Sequence, residues 1–447
     1  PSVASVISTP AVGGSITIQG QVINVGSTAQ LNAAGTGGGG SILVGNASTA
    51  TLSSTGTLIA TGLNEGSGGS IALTAGQLRV AGQLNASGYS GGKIQLTGLS
   101  TLASSARIST DGLFGLGGQA ILLGDSIHLD GSSWISTTGR LGGGTLLVGG
   151  GWQGSGGYTS AQTVRVDSGA ILDASAIESG QGGTLVVWSD TRFAGSSTQV
   201  AGRLLARGGA VSGNGGRIET SGHWLDLQGI QVDASSRAGG ISGEWLLDPS
   251  NVTISASSDS GYANSSGTYT PSTGVSSSVV NATTLTNALA SGTSITITTT
   301  NSGSAGSGAG NITISSNINP TGGSATLTLI ATNAISGTGN IGATGGGTLN
   351  VVFNAGGGSG TYSGIISGTG SFTKLGAGTT IFTGANTYSG TTTISEGILQ
   401  IGSGGTVGAL GSGSVTDNAS LIFNRSDSLS LSNAISGSGA LTQSGAG

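Results

Sequence analysis

The stretch Gly91-Gly92-Lys93-Ile94-Gln95-Leu96 returns 26 residues later as Gly117-Gly118-Gln119-Ala120-Ile121-Leu122. In both copies a glycine pair precedes a segment in which every second residue is apolar. The same pattern recurs with its second glycine at Gly14, Gly40, Gly69, Gly92, Gly118, Gly144, Gly183 and Gly216, at intervals of 26, 29, 23, 26, 26, 39 and 33 residues. Two residues beyond each glycine stand Ile16, Ile42, Ile71, Ile94, Ala120, Leu146, Leu185 and Ile218. Four beyond stand Ile18, Val44, Leu73, Leu96, Leu122, Val148, Val187 and Thr220. The residue between them varies from Thr17 and Gln95 to Leu147 and Glu219. Period-two alternation with one constant face is the signature of a β-strand with one side turned inward.

A second motif precedes most glycine pairs: an apolar residue, any residue, Ala or Thr, any residue, then usually Gly. Leu31 to Gly35, Leu58 to Gly62, Leu84 to Gly88, Ile108 to Gly112, Ile135 to Gly139 and Leu204 to Gly208 follow it, and Leu172 to Ala174 and Val232 to Ala234 belong to the same set. Each unit of about 26 residues therefore holds two or three short strands divided by Gly-rich corners. One such unit cannot bury its apolar face, whereas a stack of them can. Glycine at the aligned corners is expected to supply positive φ. The expected fold is all-β, a parallel β-helix (solenoid) with Gly-rich coils of about 23–39 residues. At one strand spacing per coil, the coils up to residue 245 would span roughly 43 Å. The competing reading, a β-sandwich of hairpins, would need Asn-Gly-type turns, which are few.

Composition agrees. The chain has 91 Gly in 447 residues, 6% charged residues, 35% hydrophobic residues and a net charge of −5. Disordered chains are poor in apolar residues and rich in net charge, so this composition points to ordered repeats. Collagen is excluded by only 5 Pro and the lack of a Gly-X-Y period. With no Cys, the hydrogen-bonded ladder must supply the stability that secreted proteins often take from disulfides. Basic residues are too few for a nucleic-acid partner. No signal peptide and no run of 18 apolar residues is visible. Both ends fall inside repeats, so the chain reads as a segment of something longer.

The texture changes near residue 240. The expected divisions are a Gly-Gly-repeat β-helix over 1–243, an irregular Ser/Thr/Gly-rich transition over 244–275, a continuing β-helix over 276–357 and a distinct repeat over 358–447 that stops in mid-repeat. Residues 282–289 read as a helical turn or a single loop. In the tail, Ile366-Ser367-Gly368-Thr369-Gly370 returns as Ile435-Ser436-Gly437-Ser438-Gly439, an offset of 69, with a shorter echo at Ile335-Ser336-Gly337-Thr338-Gly339.

Candidate chemistry is sparse. The two histidines, His128 and His223, lie about four coils apart, roughly 19 Å on the strand spacing, and a zinc site needs several converging ligands. No metal and no cofactor is expected. A polysaccharide-cleaving β-helix would need clustered carboxylates. Asp125, Asp130, Asp167 and Asp173 are single residues per coil in apparent turns, where Asp ordinarily bonds local backbone. The Gly-Gly-x-Gly-x-Asp calcium repeat is absent, and an enzyme is not expected. Trp134, Trp152, Trp188, Trp224 and Trp245 share one stretch with Arg140, Arg165, Arg192, Arg203, Arg207, Arg217 and Arg237. Exposed aromatic and Arg side chains concentrate at binding hot spots. Trp134, Trp152, Trp188, Trp224, Trp245, Arg192 and Arg207 are the candidate interaction face, against the plainer reading that Trp rings cover loop ends and Arg solubilises the surface. The longer coils at 149–182 and 184–215 are the expected seat of function. Ser/Thr rows are expected to serve strand propensity, and the sequons at Asn46, Asn251 and Asn311 mark possible glycan acceptors.

The tail run Lys374-Leu375-Gly376-Ala377-Gly378-Thr379, with Thr383-Gly384-Ala385-Asn386-Thr387-Tyr388-Ser389-Gly390 and Gly397-Ile398-Leu399-Gln400-Ile401-Gly402, resembles the autotransporter-associated β-strand repeat over about residues 360–447. Glu244 to Ile254 resembles the segment after the repeats of two-partner-secreted haemagglutinin-like adhesins and large exoproteins. The Gly-Gly coils resemble the same filamentous-haemagglutinin class. These resemblances imply a right-handed β-helix that crosses an outer-membrane transporter and is displayed or shed at the outer surface of a Gram-negative bacterium. The N-terminal secretion domain of the two-partner family is not evident, which leaves the export route open. The implied function is a surface adhesin, a rigid stalk that attaches to a host glycan, a host protein or neighbouring copies of itself. The alternatives are a subunit of an extracellular filament or biofilm matrix and, last, a carbohydrate-active enzyme.

Overall fold

The computed structural model describes residues 5–7, 11–193, 195–237, 239–249, 251–257, 262–265, 268–271, 278–299 and 310–447. The chain is all-β with long parallel sheets, and its contacts divide it into two compact units, Pro1–Trp245 and Leu246–Gly447.

In the first unit each repeat carries three strand segments, and each pairs in parallel with its counterpart one repeat on. The glycine-led strands form one row in which Ile16, Ile42, Ile71, Ile94, Ala120, Leu146, Leu185 and Ile218 are successive register partners. Their separations reproduce the intervals counted from the glycine pairs. The apolar residues of the second motif form another row, from Leu31 through Leu58, Leu84, Ile108, Ile135, Leu172 and Leu204 to Val232. A row between them runs from Ile23 through Leu52, Leu78, Leu102, Ile127, Val164 and Thr198 to Leu225. In three repeats this middle segment continues directly from the first, as in Ser70–Val80, Lys93–Ser104 and Gln119–Leu129. The three inward rows are buried. A buried Leu or Ile contributes about 1.5–3 kcal/mol over an exposed one, so stacking turns many short strands into one core.

The glycine pairs act differently from expectation. None of Gly39, Gly40, Gly68, Gly69, Gly91, Gly92, Gly117 or Gly118 has positive φ. They are needed for close approach. A Cβ on Gly91 would lie 1.9 Å from the Thr110 carbonyl oxygen, and one on Gly92 would lie 2.1 Å from that of Gly69. Neither position admits a side chain.

The second unit is also parallel, but its repeats shorten. Register partners in one row run Ile295, Leu327, Val351, Phe372, Thr392, Val415 and Ile435. The last four steps span 21, 20, 23 and 20 residues, mostly below the 23–39 expected. A second row runs Tyr362, Phe382, Ile401 and Phe423. Between them Phe353, Tyr362, Phe372, Phe382 and Tyr388 pack as an aromatic column, with Phe372 and Phe382 ring centroids 4.8 Å apart. Lys374 is buried beside it. Its Nζ donates to the carbonyls of Leu375 and Gly376, each at 2.7 Å, and burial pushes the ammonium down to about 8.

Residues 282–289 lie in a helix, Ala282–Ala290, capped by Asn281, whose Oδ1 accepts from the Thr283 N–H at 2.8 Å. The stretch 244–275, expected to be irregular, contains strands Glu244–Asp248 and Val252–Ser255 and an antiparallel pair, Tyr262–Ser265 with Thr268–Pro271. Its residues 258–261, 266–267 and 272–275 lie outside those described. The Ile-Ser-Gly echoes are not a structural period. Ile335 pairs with Ile312, Ile366 with Ile341 and Ile435 with Val415, in three different sheets. What they share is local: Gly337, Gly368 and Gly437 all have positive φ, at 151°, 97° and 120°. The motif encodes a way to leave a strand, usable at any corner.

Candidate functional site

Each loop between the second motif and the next glycine pair is closed by one hydrogen bond. The second glycine donates its N–H to the carbonyl of the motif's Ala or Thr: Gly40 to Ala33, Gly69 to Ala60, Gly118 to Thr110, Gly144 to Thr137, Gly183 to Ala174 and Gly216 to Ala206, all at 2.7 Å. Gly92 to Ala86 and Gly243 to Ala234 close at 2.8 and 2.9 Å. The bond is constant although loop length varies. It pinches each loop at its base and lets the tip vary without disturbing the rows beneath.

The tips also stack. Leu63 N–H donates to Gly35, Tyr89 to Gly66, Leu113 to Gly88, Arg140 to Gly112, Ile177 to Gly139 and Val211 to Glu178, at 2.8 to 3.0 Å. Loop tips are ordinarily polar. Here they carry most of the exposed large apolar side chains described in the first unit: Leu63, Tyr89, Leu113, Phe114, Leu116, Leu141, Ile177, Val211 and Ile241. The Tyr89 and Phe114 rings stack with centroids 5.7 Å apart, and the Arg140 guanidinium lies 5.9 Å from the Phe114 centroid. Arg140 also pairs with Glu178 one repeat on. The result is an apolar ridge with an aromatic and Arg centre, the composition of protein-binding hot spots.

The seven residues singled out from sequence do not form one face. Trp245 is fully buried, its Nε1 donating to Thr220 Oγ1 at 3.0 Å, and Trp188 is 5% exposed, so both leave the proposed surface. Trp134 is half-buried under the Arg107 guanidinium at 3.8 Å, and Trp224 packs edge-on to His223. Arg192 pairs with its neighbour Asp190 at 3.0 Å, while Arg207 reaches Asp173 and Asp233 at 3.8 and 4.0 Å. Trp152 lies in a 3₁₀ turn, Trp152–Gly154, beneath Arg217 at 4.6 Å.

That turn belongs to the 39-residue repeat, and it explains the free variation of the outward column. Ile121, Leu123, Leu147, Val186 and Trp188 face outward yet are buried, and Trp152 and Tyr158 of the inserted loop pack on them. Fully buried Glu219 anchors the insertion, its Oε2 accepting the Gln153 N–H at 2.7 Å, and Gln153 adopts a positive φ of 50° to present it. The longer coil thus covers a second small core.

The sequence reading missed the ridge because its residues lie in loops of unequal length and share no spacing from the glycine pair. Apolar residues at loop tips were the available signal. Among the described residues, no three His, Asp or Glu side chains converge on a point where a metal could sit.

A family match falls within the second unit. Residues 372–401 match the family model of the passenger-associated-transport-repeat. Phe372, Phe382 and Tyr388 of that match belong to the buried aromatic column, with Lys374 buried beside them, so the passenger-associated-transport-repeat is written here in core positions. Over 76 residues the chain is 49% identical to the adhesin BmaC autotransporter of Brucella suis biovar 1 (strain 1330). The aligned stretch is 16% of this chain and 2% of that relative's length. The chain therefore carries a passenger-associated-transport-repeat and is similar, over that stretch, to part of an autotransporter adhesin.

Proposed function

We propose that this chain is part of a secreted bacterial surface adhesin, a right-handed β-helical stalk that crosses an outer-membrane transporter and attaches the cell to protein on a host or matrix surface. The reading is of a binding protein, not an enzyme. The pinched-loop ridge is the observation that carries it. The parallel rows support a stiff scaffold, and every loop tip can change without altering the rows. The likeness to an autotransporter adhesin and the passenger-associated-transport-repeat supports the surface location. The filamentous-haemagglutinin resemblance of the Gly-Gly repeats belongs to the same proposal, with two-partner export the alternative to the autotransporter route.

The test is attachment of chain-coated beads to epithelial monolayers. A variant with Tyr89→Ser, Phe114→Ser and Leu116→Ser should lose at least about 10-fold in attachment, the scale of removing a hot-spot cluster. Its thermal midpoint should hold, because these side chains are exposed. Undiminished attachment would sink the assignment of the ridge. Regular polymers of the parent chain in sedimentation, lost in the variant, would give the ridge to a second copy and favour a filament subunit.

A further inference from the structure

We propose that a cleft on the outer face of the middle row binds a carboxylated sugar residue. Arg79, Ala103, His128 and Arg165 are consecutive register partners whose side chains point outward. Alanine between two long side chains leaves a notch one rung wide, and Arg79 and His128 stand about 9.6 Å apart across it on the strand spacing. The notch opens as a cleft of about 220 Å³ lined by Arg79, Ala103, Ser105, His128 and Asp130.

The polar groups there are of the right kinds and available. Among the described residues Arg79 makes no ion pair, so its planar fork is free to take a carboxylate in bidentate fashion. The Ser105 hydroxyl has no partner among the described residues. Asp130 uses Oδ1 for the Ser132 N–H and hydroxyl, at 2.9 and 2.7 Å, which leaves Oδ2 to accept from a sugar hydroxyl. The far wall is fixed, since His128 Nε2 bonds Asp167 Oδ2 at 2.8 Å and Arg165 Nε bonds its Oδ1 at 2.5 Å. Burial would raise the Asp167 carboxyl, but the hydrogen bonds from His128 and Arg165 outweigh it and hold it below its ordinary value. The wall therefore stays ionised and shaped. One cation, one hydroxyl and one acceptor around a space this size complement a ring that bears both a carboxylate and hydroxyls. A purely anionic ligand would be repelled by Asp130, and a neutral sugar would leave Arg79 unmatched.

The experiment is calorimetric titration of the chain with oligosaccharides ending in glucuronate, galacturonate or sialate, and with their neutral methyl esters. At least one acid should bind, its ester at least about 10-fold more weakly, the scale of losing a charge-assisted pair. Arg79→Gln, an exposed change, should cost the same factor. Ala103→Leu fills the notch without altering charge and should do likewise, with the thermal midpoint confirming its fold. Binding by none of the acids, equal binding of acid and ester, or parent-like binding by Arg79→Gln would each overturn the proposal. The ridge variant above should bind the sugar as the parent does, so failure of one site leaves the other standing.

Discussion

Asp248 is buried, and among the described residues its Oδ1 has no hydrogen-bond partner. Burial pushes its carboxyl from 3.8 up to about 7. Below pH 4 both folded and unfolded chains hold the proton. Between pH 4 and 7 the unfolded chain releases it first, so the group's contribution to stability falls as pH rises. Above pH 7 the full penalty, on the order of 4 kcal/mol, is present. Asp248→Asn should therefore raise the thermal midpoint at pH 8 and leave it nearly unchanged at pH 4. Equal effects at both pH values would contradict this. The same burial shows why single residues are hard to read from sequence. Trp245 stands in strand Glu244–Asp248 with its indole N–H satisfied inside by Thr220. A tryptophan signals only a large ring with one donor, and either a surface or a core with a partner accommodates it. Glu219 was likewise invisible as an anchor, because Gln153, the loop residue it holds, lies 66 residues earlier.

At the scale of elements, the corner of each repeat is the decisive piece. The Gly-Gly pair and the apolar-x-Ala/Thr motif, separate on paper, are the two halves of one closure: one supplies the N–H and the space, the other the carbonyl. Gly92→Ala places a methyl group against the Gly69 carbonyl in a stack that cannot give way. It should cost more than about 3 kcal/mol, above ordinary overpacking because the obstacle is backbone. Gly26→Ala meets no atom within 4 Å and has no positive φ. It should be neutral or stabilise by about 0.4–1 kcal/mol through the unfolded chain. Urea unfolding of both variants checks this, and equal midpoints would refute the closure. Two of the three rows were legible, because each follows a fixed marker. The middle row was not, since it follows the first at varying distance and carries the polar Thr198 between Val164 and Leu225. The Ile-Ser-Gly echoes misled for the opposite reason. They repeat in sequence because strands end alike, not because they pair.

At the scale of the molecule, repetition separates a constant scaffold from variable surface. A row of closures fixes the backbone of every repeat, and the loop tips and the outward column carry the variation: an apolar ridge at one corner, a covered core under the insertion, and the Arg79–His128 cleft on the middle row. One repeat of the first unit occupies one rung. Distances between pairs of spin labels check this spacing, and the absence of cysteine makes labelling clean. Gln30, Thr57, Gln83 and Gln231 occupy the same outward register column of the third row. With one label at Gln231 and the other at Gln30, Thr57 or Gln83, the expected distances are about 34, 29 and 24 Å, falling by one strand spacing per repeat. Distances that do not fall in equal steps as the label moves repeat by repeat would contradict it.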